Sequence, residues 1–153
     1  MSTGGIGLLR RLEFFSVFDE DALKLIAFAT DEQEVAAGGV VFKQGSPAPG
    51  GVVILSGTVR LSGSGDHATV LTAGPGDLIG ELALLIPTER ALTAIAETEC
   101  RFMTVSRTVV KRALVQFPET AMRLQTMLSG RLRELNAGLT AVSGMLEKID
   151  APL

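Results

Sequence analysis

The chain is poor in the residues on which catalysis, metal binding and membrane insertion depend. It has a single cysteine, Cys100, so no internal disulfide forms and the reducing cytosol is the expected compartment. It has a single histidine, His67, in the Gly- and Ser-rich stretch SGSGDHAT. One imidazole cannot build the multi-residue cluster of a metal-dependent β-barrel enzyme of the cupin type, and a solvated loop position is expected. Lys and Arg number 14 against 17 acids, a net charge of −3, with no basic block. The electrostatic footprint of a nucleic-acid binder is therefore missing. No apolar run approaches the ~20 residues that span a bilayer. The opening MSTGGIGLLRRLEFF carries its basic pair inside the apolar run, the wrong order for a signal peptide. Asp150 to Leu153 close the chain soon after its last helical stretch, which leaves no room for a helix-turn-helix of some tens of residues. From these absences the expectation is a cytoplasmic protein that is not an enzyme, holds no metal, does not enter a membrane and does not bind DNA directly.

What is present is apolar. Hydrophobic residues make up 46% of 153 positions and charged residues 20%, enough for one globular domain with a genuine core. The mean hydropathy is positive, which points to an interface. Residues 1–33 read as helices: Leu8, Leu9, Leu12 and Phe15 recur at helical spacing, and Asp19 suits the N-cap of a second helix through Leu23, Ile26 and Ala27. From 34 to 106 the texture becomes short β-rich runs, at 40–42, 52–55, 58–61, 68–71, 92–96 and 100–105. Gly and Pro punctuation separates most of them. That pattern predicts an antiparallel barrel or sandwich, with Cys100 as a buried, inert thiol on its last strand. Over 107–150 the spacing is helical again, and Pro118-Glu119 suits a first turn. The fold class is thus α+β, a single domain over 1–153.

The last helix carries a second pattern. Leu128, Leu132, Leu135, Leu139, Val142, Leu146 and Ile149 alternate in steps of four and three. That spacing is a coiled-coil seam and predicts a homodimer; the alternative is an amphipathic helix lying on the barrel. Gly130, Gly138 and Gly144 each cost about 1 kcal/mol against Ala in a helix interior, and the flanking positions offer little charge pairing. Arg10-Arg11, and Arg131, Arg133 and Glu134, read as solvated outer faces.

The stretch IGELALLIPTERAL, from Ile79 to Leu92, is the informative one. It places a lone carboxylate, Glu81, after Gly80 and a lone guanidinium, Arg90, nine residues on, with LALLI between. A chain reversal and a short helical turn would leave backbone N–H groups near Leu82 and Ala83 unpaired, an anion site that Arg90 would complete. A carboxylate beside an anion is a poor ligand for it but a good acceptor for a sugar hydroxyl. The competing reading is an ion pair between Glu81 and Arg90 that bridges two strands.

GELALLIPTERALTA resembles the phosphate-binding cassette of cyclic nucleotide-binding domains, the family of the cAMP-dependent protein kinase regulatory subunits and the catabolite activator protein. The Glu81 to Arg90 spacing matches without a gap, and VVFKQGSPAPGGVVILSGTVRL and AGPGDLIGE resemble the approach to it. The resemblance covers roughly residues 8–140 and implies a jelly-roll barrel (a double-stranded β-helix) between N-terminal helices and a long C-terminal helix, with the cassette at 79–93. It implies that Glu81 accepts from the ribose 2′-hydroxyl. The amides of Leu82 and Ala83 with Arg90 would hold the cyclic phosphate, and Gly80 would allow the close approach. Leu61 and Val70 would line the base side. Ala91 lacks the hydroxyl of cGMP-preferring members, which favours cAMP over cGMP. Leu135 would cap the base and Asn136 would bond its edge. Such a protein would be a sensor that signals through its C-terminal helix to an effector in trans. The alternative is a degenerate member that serves as a dimerisation or interaction scaffold.

Overall fold

The computed structural model describes residues 4–64 and 70–131. His67 and the seam from Leu132 to Ile149, with Leu135 and Asn136, lie outside the described residues, as do Arg133 and Glu134.

The N-terminal helical expectation holds with a break in it. Helix α1 runs Gly4–Arg11, and a separate 3-10 turn, Glu13–Phe15, follows instead of a continuation. The break lets three aromatic rings converge: Phe14 lies edge-on to Phe15 with centroids 4.8 Å apart, and Phe18 sits 5.2 Å from Phe15. Arg10 and Arg11 are exposed, as their charge requires. Helix α2, Glu20–Phe28, buries Ala22, Leu23, Ile26 and Ala27 along one face. Asp19 holds the N-cap position in an extended conformation, but its carboxylate makes no cap. It pairs instead with Arg123.

The strands begin at residue 31, not 34. Strand β1, Asp31–Val35, is nearly all polar and exposed, so alternation could not reveal it. It pairs antiparallel with β10, Cys100–Ser106, and Arg101 on that strand reaches Glu32 at 3.1 Å and Glu34 at 3.6 Å. Between them lie β2 (Val40–Phe42), β3 (Pro47–Ala48), β4 (Gly50–Ser56), β5 (Val59–Ser62), β6 (Val70–Ala73), β7 (Leu78–Ile79), β8 (Thr88–Glu89) and β9 (Thr93–Ala96). They do not close into a barrel. One sheet has the order β1-β10-β4-β7, a second β2-β9-β5-β6, and β3 pairs with β8 as a two-stranded ribbon. The expected barrel is therefore two sheets face to face, because no ladder among the described residues joins their edges.

The central strands of the first sheet, β4 and β10, are buried on both faces, and their alternation decides which core each side chain enters. Val53, Met103 and Val105 point into a core shared with α1, α2 and the C-terminal helices. Val52, Ile54 and Phe102 point the other way, onto Val59, Leu61, Ala94 and Ala96 of the second sheet. Cys100 is buried there, its thiol donating to the carbonyls of Thr58 and Thr98 at 3.2 and 3.1 Å.

Helix α3, Arg107–Gln116, is capped by Ser106, whose Oγ accepts from the N–H groups of Thr108 and Val109. A further helix, α4, starts at Pro118, as expected, and continues to residue 131, the last described. Leu124 is buried in the helical core, and Leu128, the one described position of the seam, packs against the same core within its own chain.

Candidate functional site

Strand β7 ends at Ile79, and Gly80 after it adopts φ +83 and ψ 40, a left-handed conformation that only glycine enters without strain. The chain then makes a 3-10 turn, Glu81–Leu84, with Ala83 and Leu84 buried beneath it and Leu82 exposed above. The Ala83 N–H donates to the Gly80 carbonyl at 3.0 Å, so it closes the turn and is not free, contrary to the sequence expectation. The 3-10 pattern bonds one residue earlier than an α-helix and so uses an amide that a helix would leave open.

Six residues later the chain returns along the β3–β8 ribbon. The Arg90 N–H donates to the Ser46 carbonyl, and the Arg90 carbonyl accepts from the Gly45 N–H, each at 2.8 Å. The turn and the ribbon enclose a cleft of about 290 Å³. Of the sequence-predicted residues, Leu61, Gly80, Leu82, Ala83, Arg90 and Ala91 line it. Phe42, Thr88 and Glu89 line it too, without having been singled out. Val70 does not: it is 63% exposed on β6 and faces away from the cleft core.

Arg90 is 9% exposed, and its Nη1 is a buried donor with no hydrogen-bond partner among the described residues. Its guanidinium carbon sits 4.4 Å over the Phe42 ring, a cation–π contact. A Cβ on Gly80 would stand 2.5 Å from Nη1, so the missing side chain at 80 is what makes room for the guanidinium. Burial lowers the Arg90 pKa from its ordinary value, yet a guanidinium stays protonated at neutral pH. A buried cation with an unspent donor, beside an apolar cleft, is an unbalanced arrangement that an anion would complete.

The bridging ion pair between Glu81 and Arg90 is not formed. Glu81 Oε1 instead accepts from Arg131 Nη1 at 2.6 Å, and Arg131 also holds Glu13 at 2.9 Å through Nη2 and Nε. Arg131 is thus not on an outer face, as its position in the sequence had implied. Its pKa is raised, chiefly by the hydrogen bond to Glu81, with Glu13 adding to it against the desolvation of the site. Glu81 does not line the cleft, although both of its neighbours do.

Arg107 is a further residue beside the site that sequence reading passed over. Its Nη1 lies within bonding distance of the carbonyls of Ala48 (2.9 Å), Ala83 (3.2 Å) and Ile86 (3.3 Å). It ties α3 to the ribbon and to the 3-10 turn. A cation in a helix's first turn opposes the helix dipole, and that misplacement was the available signal. Among the described residues no group of three or more His, Cys, Asp or Glu side chains could hold a metal, and no helix is long and apolar enough to cross a membrane.

Comparison with known proteins follows the same outline. Residues 32–117 match the family model described as the cyclic nucleotide-binding domain. The chain is 27% identical over 135 residues to a CRP-like cAMP-activated global transcriptional regulator of Mycobacterium tuberculosis, covering 86% of this chain and 60% of that protein. It is 33% identical over 101 residues to a cAMP-dependent protein kinase regulatory subunit of Eremothecium gossypii, covering 66% of this chain and 22% of that one. The chain therefore spans less than two thirds of the length of these relatives. Among solved structures it is similar to the N-terminal domain of a transcriptional regulator from Streptomyces coelicolor, at 29% identity and a TM-score of 0.78 over 86% of this chain and 94% of that one. It is also similar to the regulatory domain of Toxoplasma gondii PKA co-crystallised with cAMP, at 26% identity and a TM-score of 0.68, covering 74% of this chain and 46% of that one.

Proposed function

The chain belongs to the cyclic nucleotide-binding domain family, and on that premise we propose that it binds a cyclic nucleotide, cAMP in preference to cGMP, as a regulatory module. The observation that carries the reading is the buried, unpartnered Nη1 of Arg90 beside an apolar cleft. A cyclic phosphate monoanion would supply the missing acceptor and neutralise the cation in one step. Glu81, on the same turn, would accept from the ribose 2′-hydroxyl once it faces the cleft. Phe42, Leu61 and Leu92 offer the apolar surface against which a purine packs. Ala91 contributes no hydroxyl at the mouth, which removes a contact that would favour guanine. A relative named as cAMP-activated and a neighbour co-crystallised with cAMP support the same ligand.

The output runs through the C-terminal helix. Ligand in the cleft favours one docking of the chain from Pro118 onward, and the seam from Leu128 to Ile149 passes that change to a second copy and to an effector in trans. A ligand shifts such an equilibrium only by its differential affinity for the two dockings. Leu135 and Asn136, as cap and edge contacts for the base, would supply that difference.

Calorimetric titration with cAMP and cGMP tests the reading, with Arg90→Ala as control. Saturable binding that the substitution weakens by about tenfold or more is the expected result. No heat with either nucleotide, together with an unchanged melting temperature, would sink it and leave a scaffold.

A further inference from the structure

Two cavities meet at Arg90. Besides the cleft, a second space of about 60 Å³ reaches it through Pro49, Gly50, Gly51, Thr104, Val105 and Ser106. Arg90 is the one described residue that lines both. Its Nη1 crowds the place of a Cβ on Gly80, and that place lies 3.6 Å from the carbonyl oxygen of Gly50, a wall of the second cavity. The orphan donor therefore stands between the two spaces.

The second cavity is furnished with donors. Thr104 and Ser106 are two residues apart on β10, so their side chains share the face opposite to Met103 and Val105, which enter the helical core. The Ser106 Oγ accepts from the N–H groups of Thr108 and Val109, which uses both lone pairs and leaves the hydroxyl proton to donate elsewhere. Gly50 lies opposite Ser106 in the ladder and adds no side chain to fill the space; a Cβ there would collide with the Val105 carbonyl. The cavity also abuts the first turn of α3, the positive end of its dipole. Arg107 opens that helix, with its N–H on the Pro49 carbonyl at 2.8 Å. Neither Arg90 nor Arg107 forms an ion pair with a described residue. A buried guanidinium, a helix start and a donating hydroxyl, with no acid on the walls, suit an anion. We propose that this second cavity is a halide site, with chloride as its ligand. Its volume admits a small ion with a water or two and excludes a nucleotide. A cyclic phosphate in the cleft and a halide behind it share one guanidinium. Each neutralises charge that the other needs, so each weakens the other by the same factor. That coupling rests on the cyclic-nucleotide reading, whereas the halide site does not.

The experiment melts wild type, Arg90→Met and Thr104→Val, and titrates each with cAMP, in sodium chloride and in sodium gluconate at one ionic strength of about 0.15 M. Gluconate is too large for the cavity. Chloride should raise the ligand-free melting temperature of wild type by about 2–4 °C over gluconate. The rise should vanish in Arg90→Met and shrink by about half or more in Thr104→Val. Wild type should bind cAMP about fivefold more weakly in chloride, and Thr104→Val should narrow that gap while matching wild type in gluconate. No rise in wild type, or an equal rise in Arg90→Met, overturns the halide site and leaves the proposed function to the titration. A rise that needs Arg90, with equal cAMP affinity in the two salts, overturns the coupling. The same rise with no cAMP binding in either salt upholds the halide site and overturns the proposed function.

Discussion

Arg90 and Glu81 stand nine residues apart on one turn of chain, and the protein treats them in opposite ways. Arg90 is buried, resting on Phe42, with a donor left over. Glu81 is half-exposed, turned from the cleft and bound to Arg131. The arginine is fixed by its main chain on both sides, at Gly45 and Ser46, and by the space at Gly80. The glutamate carboxylate is held by a side-chain contact, from Arg131. One end of the cleft is preorganised and the other is conditional. Rigid groups set affinity by avoiding reorganisation, whereas a conditional group lets binding report on something else.

Substitutions separate the two ends. The largest effect is expected from Arg90→Met, which keeps the packing over Phe42 and removes the charge. Nucleotide affinity should fall about tenfold or more by titration. In gluconate the ligand-free melting temperature should not fall, because a buried and uncompensated cation is removed. A lower melting temperature would show that Arg90 has a partner in the free protein. Next is Gly80→Ala, which meets a left-handed φ and a Cβ contact of 2.5 Å with Arg90 Nη1. We expect a loss of about 1–2 kcal/mol in chemical denaturation, with weakened binding because the guanidinium is displaced. Arg107→Met should cost about 1 kcal/mol, since a charged donor to three carbonyls is lost while α3 keeps its Ser106 cap. The smallest effect is expected at Val70, exposed on β6. Val70→Ala should change stability by no more than about 0.5 kcal/mol and binding by less than about twofold. A larger loss of cAMP affinity would place Val70 on the base after all.

Much of this was legible in the sequence, for identifiable reasons. The apolar strands, the helices and the cassette depend on local pattern: alternation, helical spacing, a glycine before an acid. Their burial followed from side chains that have no other place to go. What local pattern could not carry was pairing at a distance. Strand β1 reads as DEQEV and looks like a solvated loop, because its place is fixed by backbone pairing to β10 and by Arg101. Arg131 reads as outer surface on any helical wheel, since its partners lie 50 and 118 residues away. Closure of the expected barrel is not found among the described residues, because short strands with turns between them specify antiparallel neighbours but not whether the edges meet. Leu84 and Ala83 were named as part of an apolar run, but that the turn would consume the Ala83 amide depended on a 3-10 geometry that composition does not reveal.

The clamp made by Arg107 has one more consequence, which concerns time. Its three acceptors lie 59, 24 and 21 residues from it in sequence, on the ribbon and on the cassette turn. They converge only after the sheets have met and the loop between them has closed, a step with its own entropic cost. The clamp is therefore expected to form after the transition state for folding. Interactions of that kind slow unfolding and leave folding untouched. In denaturant-jump kinetics Arg107→Met should quicken the unfolding arm and leave the refolding arm in place. Arg107 would then govern how long the cassette, once built, stays joined to the helix that follows it.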